Sequence, residues 1–129
     1  MTQLSEMATL ITNDPGFAGL AVDRLYPVTL PQEPVLPAAT YLIVSRPHEH
    51  THNRTELVWP RVQFDCYAGT YQEAHALAAA IDAIFGRWKL ATGWPAFGED
   101  ERDLPEPALP PIGERFRVSL DITIWGLEV

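Results

Sequence analysis

Three histidines at alternating positions, His48, His50 and His52, form the segment whose residue types most resemble a metal site. In an extended chain, side chains two residues apart project to the same side. Three imidazoles on one side could bind Zn²⁺ or Ni²⁺. The neighbouring sequence supplies no evident group to orient them, although metal ligands usually need such support. A solvated loop or a subunit contact is therefore the competing interpretation of this segment.

The other reactive side chains form no catalytic pattern. Cys66 is the single cysteine, and its place on the apolar side of a predicted strand indicates a small buried hydrophobic group. The acidic run at 99–103 lacks the glycine and the ligand spacing of a calcium-binding loop. The sequence also contains no nucleophile-elbow or glycine-rich phosphate-loop motif. We therefore predict that the protein is not an enzyme and needs no cofactor.

Residues 58–88 predict a strand, a turn and a helix. Along 58–68, apolar residues alternate with polar ones, which is the pattern of a half-buried strand. Thr70 and Glu73 form a capping box that begins a helix. Beyond them an apolar stripe continues at three- and four-residue steps as far as Trp88. The pattern predicts a helix that packs on a sheet.

Three further segments complete the predicted fold. Residues 4–13 predict a first helix, 41–45 a short apolar strand, and 116–124 a second long alternating strand. Polar or proline-rich sequence separates them, so we predict mobile loops at 47–56 and 89–113. The 129 residues then form a single α+β domain, with about four strands in one mostly antiparallel sheet and two helices packed on one face.

The two long strands carry the same charge motif on their polar sides. Arg61 precedes Asp65 by four residues, and Arg117 precedes Asp121 by the same interval. If the strands pair antiparallel with the motifs opposed, each arginine meets an aspartate, and other registers become less favourable. A helical crossover could equally make the strands parallel, so the pairing is a hypothesis at this point.

Charge and hydropathy exclude two classes of partner. Nine basic residues against seventeen acidic ones give a net charge of −8, which is a poor basis for gripping nucleic acid phosphates. No apolar run is long enough to span a bilayer, so we expect no membrane partner. An acidic protein can still lie beside DNA if its task is to let the polymer slide past.

Aromatic residues on the polar sides of the strands point to a covered surface. Trp59, Tyr67 and Trp125 would project away from the predicted helices, and such side chains are usually covered by something. The first helix, the proline-rich segment or a neighbouring subunit could cover them. The predicted subunit or ring interface consists of His50, Trp59, Arg61, Asp65, Tyr67 and Trp125.

Several sequence phrases, in their order and spacing, resemble a family of tailed-phage proteins. The phrases are Leu25-Tyr26-Pro27, the prolines that lead through Pro37 to Tyr41, Arg61-Val62-Gln63-Phe64-Asp65-Cys66-Tyr67, Thr70-Tyr71-Gln72-Glu73-Ala74, and Arg115-Phe116-Arg117-Val118-Ser119-Leu120-Asp121. Together they resemble the tail-completion or tail-terminator proteins, which also occur in prophages and gene transfer agents. The likeness spans nearly the whole chain and departs from the family in 89–113, where a segment often able to form an extra strand is replaced by prolines and acids.

The resemblance implies a structural virion protein, made in the host cytoplasm, at the head-proximal end of the tail. Such a protein caps the tail tube as a ring, expected to be a hexamer, ends tube polymerisation and forms the head–tail joining surface. Its expected partners are copies of itself, the major tail tube protein and the head-completion or connector protein, with DNA passing through unbound. The alternatives are a small metal-binding or enzymatic domain that uses the histidine loop, and another neck or head-completion subunit.

Overall fold

The computed structural model describes residues 2–50, 56–106 and 115–128 of the chain. Its helices are α1 (Leu4–Thr12), α2 (Pro15–Ala21), α3 (Tyr71–Gly86) and α4 (Trp88–Thr92). Its strands are β1 (Thr2–Gln3), β2 (Leu25–Pro27), β3 (Ala38–Ser45), β4 (His48–His50), β5 (Glu56–Val58), β6 (Arg61–Ala68), β7 (Ala96–Leu104), β8 (Phe116–Ile124) and β9 (Leu127–Glu128). None of the described helices is long and apolar enough to cross a bilayer.

Five of the strands form the central sheet, in the order β2-β3-β6-β8-β7. The middle strand β6 pairs antiparallel with β3 and β8, and β7 pairs antiparallel with β8. Because β2 pairs parallel with β3, the sheet is mixed. The predicted α+β class is confirmed. The predicted counts differ in detail, since the described residues give five strands in this sheet rather than about four, and four helices rather than two.

The helix α3 follows the sequence pattern closely. The Thr70 hydroxyl accepts a hydrogen bond of 3.2 Å from the backbone N–H of Glu73, as the capping box predicts. The buried residues of the helix are Ala74, Leu77, Ala78, Ile81, Ile84 and Phe85. Trp88 belongs to the next helix, α4, but its side chain is fully buried in the same core. The apolar stripe therefore continues across a helix boundary.

The short helix α2 is not among the helices that the sequence pattern predicts. It follows α1 directly, with Asp14 as its N-cap and Pro15 at its first position. The Asp14 carboxylate accepts from the backbone N–H groups of Gly16 and Phe17, at 3.0 and 3.2 Å. Arg87, just after α3, donates to the other oxygen at 2.7 Å and ties α2 to α3.

Residues 89–113, predicted as one mobile loop, contain regular structure. The segment begins in α4, and Ala96–Leu104 form β7 along the edge of the sheet. The loop prediction is wrong for 96–104, because backbone pairing with β8 holds an extended strand whose side chains are mostly exposed. Residues 98–103 of this strand contain no apolar side chain larger than glycine, so its sequence lacks the alternation that marks β6 and β8. Residues 107–113 lie outside the described residues.

The predicted loop 47–56 also contains pairing. His48–His50 and Glu56–Val58 form an antiparallel two-stranded ladder, β4 with β5, separate from the central sheet. The prediction of an irregular segment is wrong for 48–50, because that stretch pairs with the approach to β6. Residues 51–55 lie outside the described residues.

The core lies between one face of the sheet and the helices. It includes alternate residues of β6 and β8 together with the buried stripe of α3. Its largest fully buried side chains are Trp88, Phe17, Phe64, Met7, Ile11, Leu77, Ile81, Ile122, Ile124 and Leu127. The opposite face of the sheet carries the polar members of the same strands, and these form the candidate site.

Candidate assembly surface

The sheet face opposite the helices, called the open face below, is built from alternate residues of β3, β6, β7 and β8. It consists of Thr40, Leu42, Arg61, Gln63, Asp65, Tyr67, Asp100, Arg102, Arg117, Ser119, Asp121 and Thr123. Three arginines and three aspartates balance in charge on this surface, although the whole chain has a net charge of −8. The open face is therefore a locally neutral surface on an acidic protein.

Ion pairs connect the two long strands across the open face. An Nη2 atom of Arg117 lies 3.1 Å from the Asp65 carboxylate, and one of Arg61 lies 3.4 Å from that of Asp121. The antiparallel pairing hypothesis, in which each arginine meets an aspartate, is confirmed. The contacts are diagonal, because Arg61 lies opposite Thr123 in the backbone register and Asp65 lies opposite Ser119. The long arginine side chains span that offset.

Both aspartates are buried beneath the groups that bind them. Asp65 is 2% exposed and Asp121 is 6% exposed, although both lie on the face that no described helix covers. Gln63 donates to Asp65 at 3.1 Å, and Arg102 donates to Asp121 at 3.2 Å. Removing charged groups from water is tolerated here because each carboxylate has a guanidinium partner. The open face is thus prearranged within one subunit.

Two arginines of this network, Arg102 and Arg117, have raised pKa values. Burial acts to lower the pKa of Arg117, but the hydrogen bond and charge of Asp65 outweigh it, and the pKa is raised. The pKa of Arg102 is raised chiefly by its hydrogen bond to Asp121. Arg102 and Arg117 therefore keep their positive charge in these pairs.

Tyr67 marks one end of the open face. The guanidinium carbons of Arg115 and Arg117 lie 5.2 and 5.7 Å from its ring centroid, within cation–π range. Glu106 accepts hydrogen bonds from both arginines, at 3.3 and 3.4 Å. Burial is the main cause that raises the pKa of Tyr67. Beside the ring, the segment 28–34 lines a shallow groove of about 370 Å³.

A stacked tryptophan pair marks the other end. The rings of Trp59 and Trp125 lie 5.1 Å apart at an angle of 20°. They line a groove of about 400 Å³ together with Arg61 and Phe97. Phe97 belongs to the edge strand β7 and is 53% exposed. Aromatic rings concentrated beside an arginine are the composition that protein interfaces favour.

Polar atoms without partners are concentrated on the open face. The buried side-chain atoms that find no hydrogen-bond partner among the described residues are Thr40 Oγ1, Arg61 Nε, Trp88 Nε1, Arg117 Nε, Ser119 Oγ and Asp121 Oδ1. All but Trp88 Nε1 belong to the open face. Among the described residues, the buried polar side-chain atoms of the helix-covered face therefore nearly all have hydrogen-bond partners. The open face retains unused donors and acceptors.

The predicted metal ligands lie only partly within the described part of the chain. His48 and His50 occupy the first and last positions of β4, and His52 lies outside the described residues. Among the described residues, no group of three histidine, cysteine or acidic side chains could hold a metal ion. The three-histidine hypothesis therefore remains untested, and no described residue adds to it.

The acidic run proves to be part of a strand. Asp103, near the end of β7, accepts from the Tyr71 hydroxyl at 2.8 Å, and its other oxygen lies 2.8 Å from Nε2 of His75. This contact fastens the edge strand to the first turns of α3. It is also the main cause that raises the pKa of Tyr71. The sequence gave no indication that His75 would have this partner.

Of the predicted interface residues, four lie partly exposed at or near the two ends of the open face. They are Trp59, Arg61, Tyr67 and Trp125. Asp65 is buried in its pair with Arg117, so its contribution within one subunit is to hold Arg117 in place. His50 belongs to the separate β4–β5 ladder. Sequence reasoning missed Arg102 and Phe97, because both lie in the strand that was interpreted as a loop.

Comparisons with known proteins show a structural likeness. No protein-family model matches the sequence. No curated protein matches it either. The fold is shared with a chain of a solved structure described as the "virion of native gene transfer agent (GTA) particle". The TM-score is 0.59 at 12% sequence identity, and the match covers 91% of this chain and 88% of that chain. At this identity the match shows a common fold over nearly the full length of both chains.

Proposed function

We propose that this protein is a structural subunit of a phage-like virion, which forms a ring at the head-proximal end of the tail tube. The ring ends tube polymerisation and presents the surface to which the head connector binds. The observation that carries the proposal is the fold shared with a gene transfer agent virion chain over 91% of this protein. The resemblance of the sequence to tail-terminator proteins supports the same position in the particle.

The open face supports an assembly role over a catalytic one. Its charged groups are already paired within the subunit, so it can meet another protein without first rearranging them. Its two ends carry aromatic rings in shallow grooves of about 370 and 400 Å³. Such grooves fit side chains of a neighbouring subunit, and we infer that Trp59, Tyr67 and Trp125 contribute to that contact.

Charge supports the passage of DNA. A ring whose subunits each carry a net charge of −8 surrounds its channel with negative potential. Nucleic acid affinity depends on basic side chains that neutralise phosphates, and the arginines of the open face already bind aspartates. DNA is therefore expected to slide through the ring without being held.

Deleting the gene from the element that encodes the protein tests the proposal. The lysate is examined by electron microscopy, with wild-type protein supplied from a plasmid as the control. Tails of uncontrolled length, or finished tails detached from filled heads, are expected. Infectious particles that form normally without the protein would overturn the proposal. Tails of normal length beside heads that have lost their DNA would instead indicate a head-completion subunit.

A further inference from the structure

The two edges of the central sheet differ in length and in chemistry. One edge is β7, with nine residues whose outer side pairs with no other described strand. The other edge is β2, with three residues, which cover β3 only from Ala39 to Tyr41. Leu42–Ser45 of β3 are therefore unpaired on that side within the described chain. Each edge presents backbone N–H and C=O groups to a potential partner strand.

The composition of β7 disfavours pairing with a second β7. The strand carries Glu99, Asp100, Glu101 and Asp103 against the single cation Arg102. Two such edges would bring like charges directly opposite each other, which destabilises a strand pair. Acidic side chains on an edge are a device that prevents unregulated association. A partner strand for β7 must therefore be neutral or basic.

The free part of β3 has that composition. Leu42, Ile43, Val44 and Ser45 are uncharged, and Arg46 follows them directly. Val44 in this segment is 49% exposed. Phe97 on β7 is exposed to a similar extent, so both edges also offer apolar surface.

We propose that copies of this chain join head to tail, with β7 of one copy pairing along residues 42–46 of the next. The central sheet then continues from subunit to subunit. The contact is heterologous because it joins two different edges of the sheet. Heterologous contacts close into a ring when the rotation from one subunit to the next divides a full turn evenly. The inference rests on the proposed ring and names the surfaces that form it.

Engineered thiols test this contact because the single natural cysteine, Cys66, is fully buried. Val44→Cys and Phe97→Cys are made separately and together, in full-length protein that complements the deleted gene. Purified particles are treated with a short bismaleimide, which tolerates a shift in register, and are resolved on denaturing gels. The exposed Leu90 supplies the control variant Leu90→Cys, because it belongs to the helix α4 and to neither edge strand.

The double variant is expected to give a ladder of crosslinked species, and a mixture of the two single variants is expected to give dimers. Either single variant alone, or Leu90→Cys combined with Val44→Cys, should remain monomeric on the gel. Dimers of Phe97→Cys alone would show edge pairing between two copies of β7 and would overturn the inference. Particles that contain the protein but yield no ladder also overturn it, while leaving the proposed function intact. Particles that lack the protein overturn both.

Discussion

The two faces of the central sheet are made by the same strands, yet different interactions hold them. On the helix-covered face, Phe64 and Ile122 are fully buried among other apolar side chains. On the open face, Asp65 and Asp121 are nearly as buried, but beneath charged partners. Burial alone therefore does not distinguish the two faces. Apolar contacts on one face supply stability, whereas directional pairs on the other fix which strand position meets which.

The largest effect should follow from damage to the covered face. Phe64→Ala removes a ring that is fully buried and lies 5.5 Å from the ring of Phe85. We expect the free energy of unfolding, measured by urea denaturation, to fall by about 3–5 kcal/mol. The matched control is Phe97→Ala on the exposed edge strand, which should change it by less than about 0.5 kcal/mol. Equal losses in the two variants would contradict the assignment of the core to the helix side.

A smaller effect is expected from breaking a pair on the open face. Asp65→Ala removes the acceptor of Gln63 and one of the two carboxylates that bind Arg117, and we expect a loss of about 1–3 kcal/mol in the free energy of unfolding. The cost should stay below that of Phe64→Ala because the Arg117 side chain is partly exposed and can be hydrated.

A double-mutant cycle with Arg117→Ala isolates the pair. If the two side chains act together, the double variant loses less stability than the sum of the single variants. Strictly additive losses would mean that the diagonal contact between Asp65 and Arg117 contributes nothing to the free energy of unfolding.

The same contrast explains what sequence alone could predict. Alternation revealed β6 and β8, and the capping box revealed α3, because local pattern and tertiary burial agree in those elements. The sequence pattern did not predict β7, because Gly98 and the acidic residues after it have low strand propensity. There the pairing with β8 decides the structure. The parallel pairing of β2 with β3 could not be predicted either, because no local pattern indicates which strand a three-residue strand pairs with.

For the candidate site, the sequence predicted which residues lie on the open face, but not all of their contacts or how deeply they are buried. The repeated Arg–Asp motif predicted the two cross-strand pairs correctly, because strand periodicity fixes the face on which each side chain lies. It could not show that Asp121 is shared with Arg102, since that contact depends on the unpredicted β7. Aspartates are rarely buried, so the sequence also gave no reason to expect that Asp65 would be 2% exposed.

The stability of the protein at alkaline pH depends on a thiol that is buried on the helix-covered face. Burial is the main cause that raises the pKa of the Cys66 thiol far above its ordinary value. Above about pH 8.5 the thiol of the unfolded chain loses its proton, whereas the thiol of the native protein keeps it. The free energy of unfolding therefore has its full value below about pH 8.5 and declines as the pH rises above that value. The decline is at most about 1.4 kcal/mol per pH unit. Cys66→Ala should flatten this part of the pH profile, measured by urea denaturation. An unchanged slope in the variant would assign the alkaline loss to other groups.

The smallest effect is expected at the most exposed arginine of the open face. Arg61 contacts Asp121 at 3.4 Å with 39% of its side chain exposed, and Arg102 holds the same carboxylate at 3.2 Å. Arg61→Ala should therefore cost less than about 1 kcal/mol in the free energy of unfolding, and added salt should reduce the difference further. Arg102→Ala should cost more, because it also removes hydrogen bonds to Gln63 and Asp100. If Arg61→Ala proved the costlier of the two, the carboxylate of Asp121 would depend on the long cross-strand contact from β6, and the edge strand would be a minor contributor to the open face.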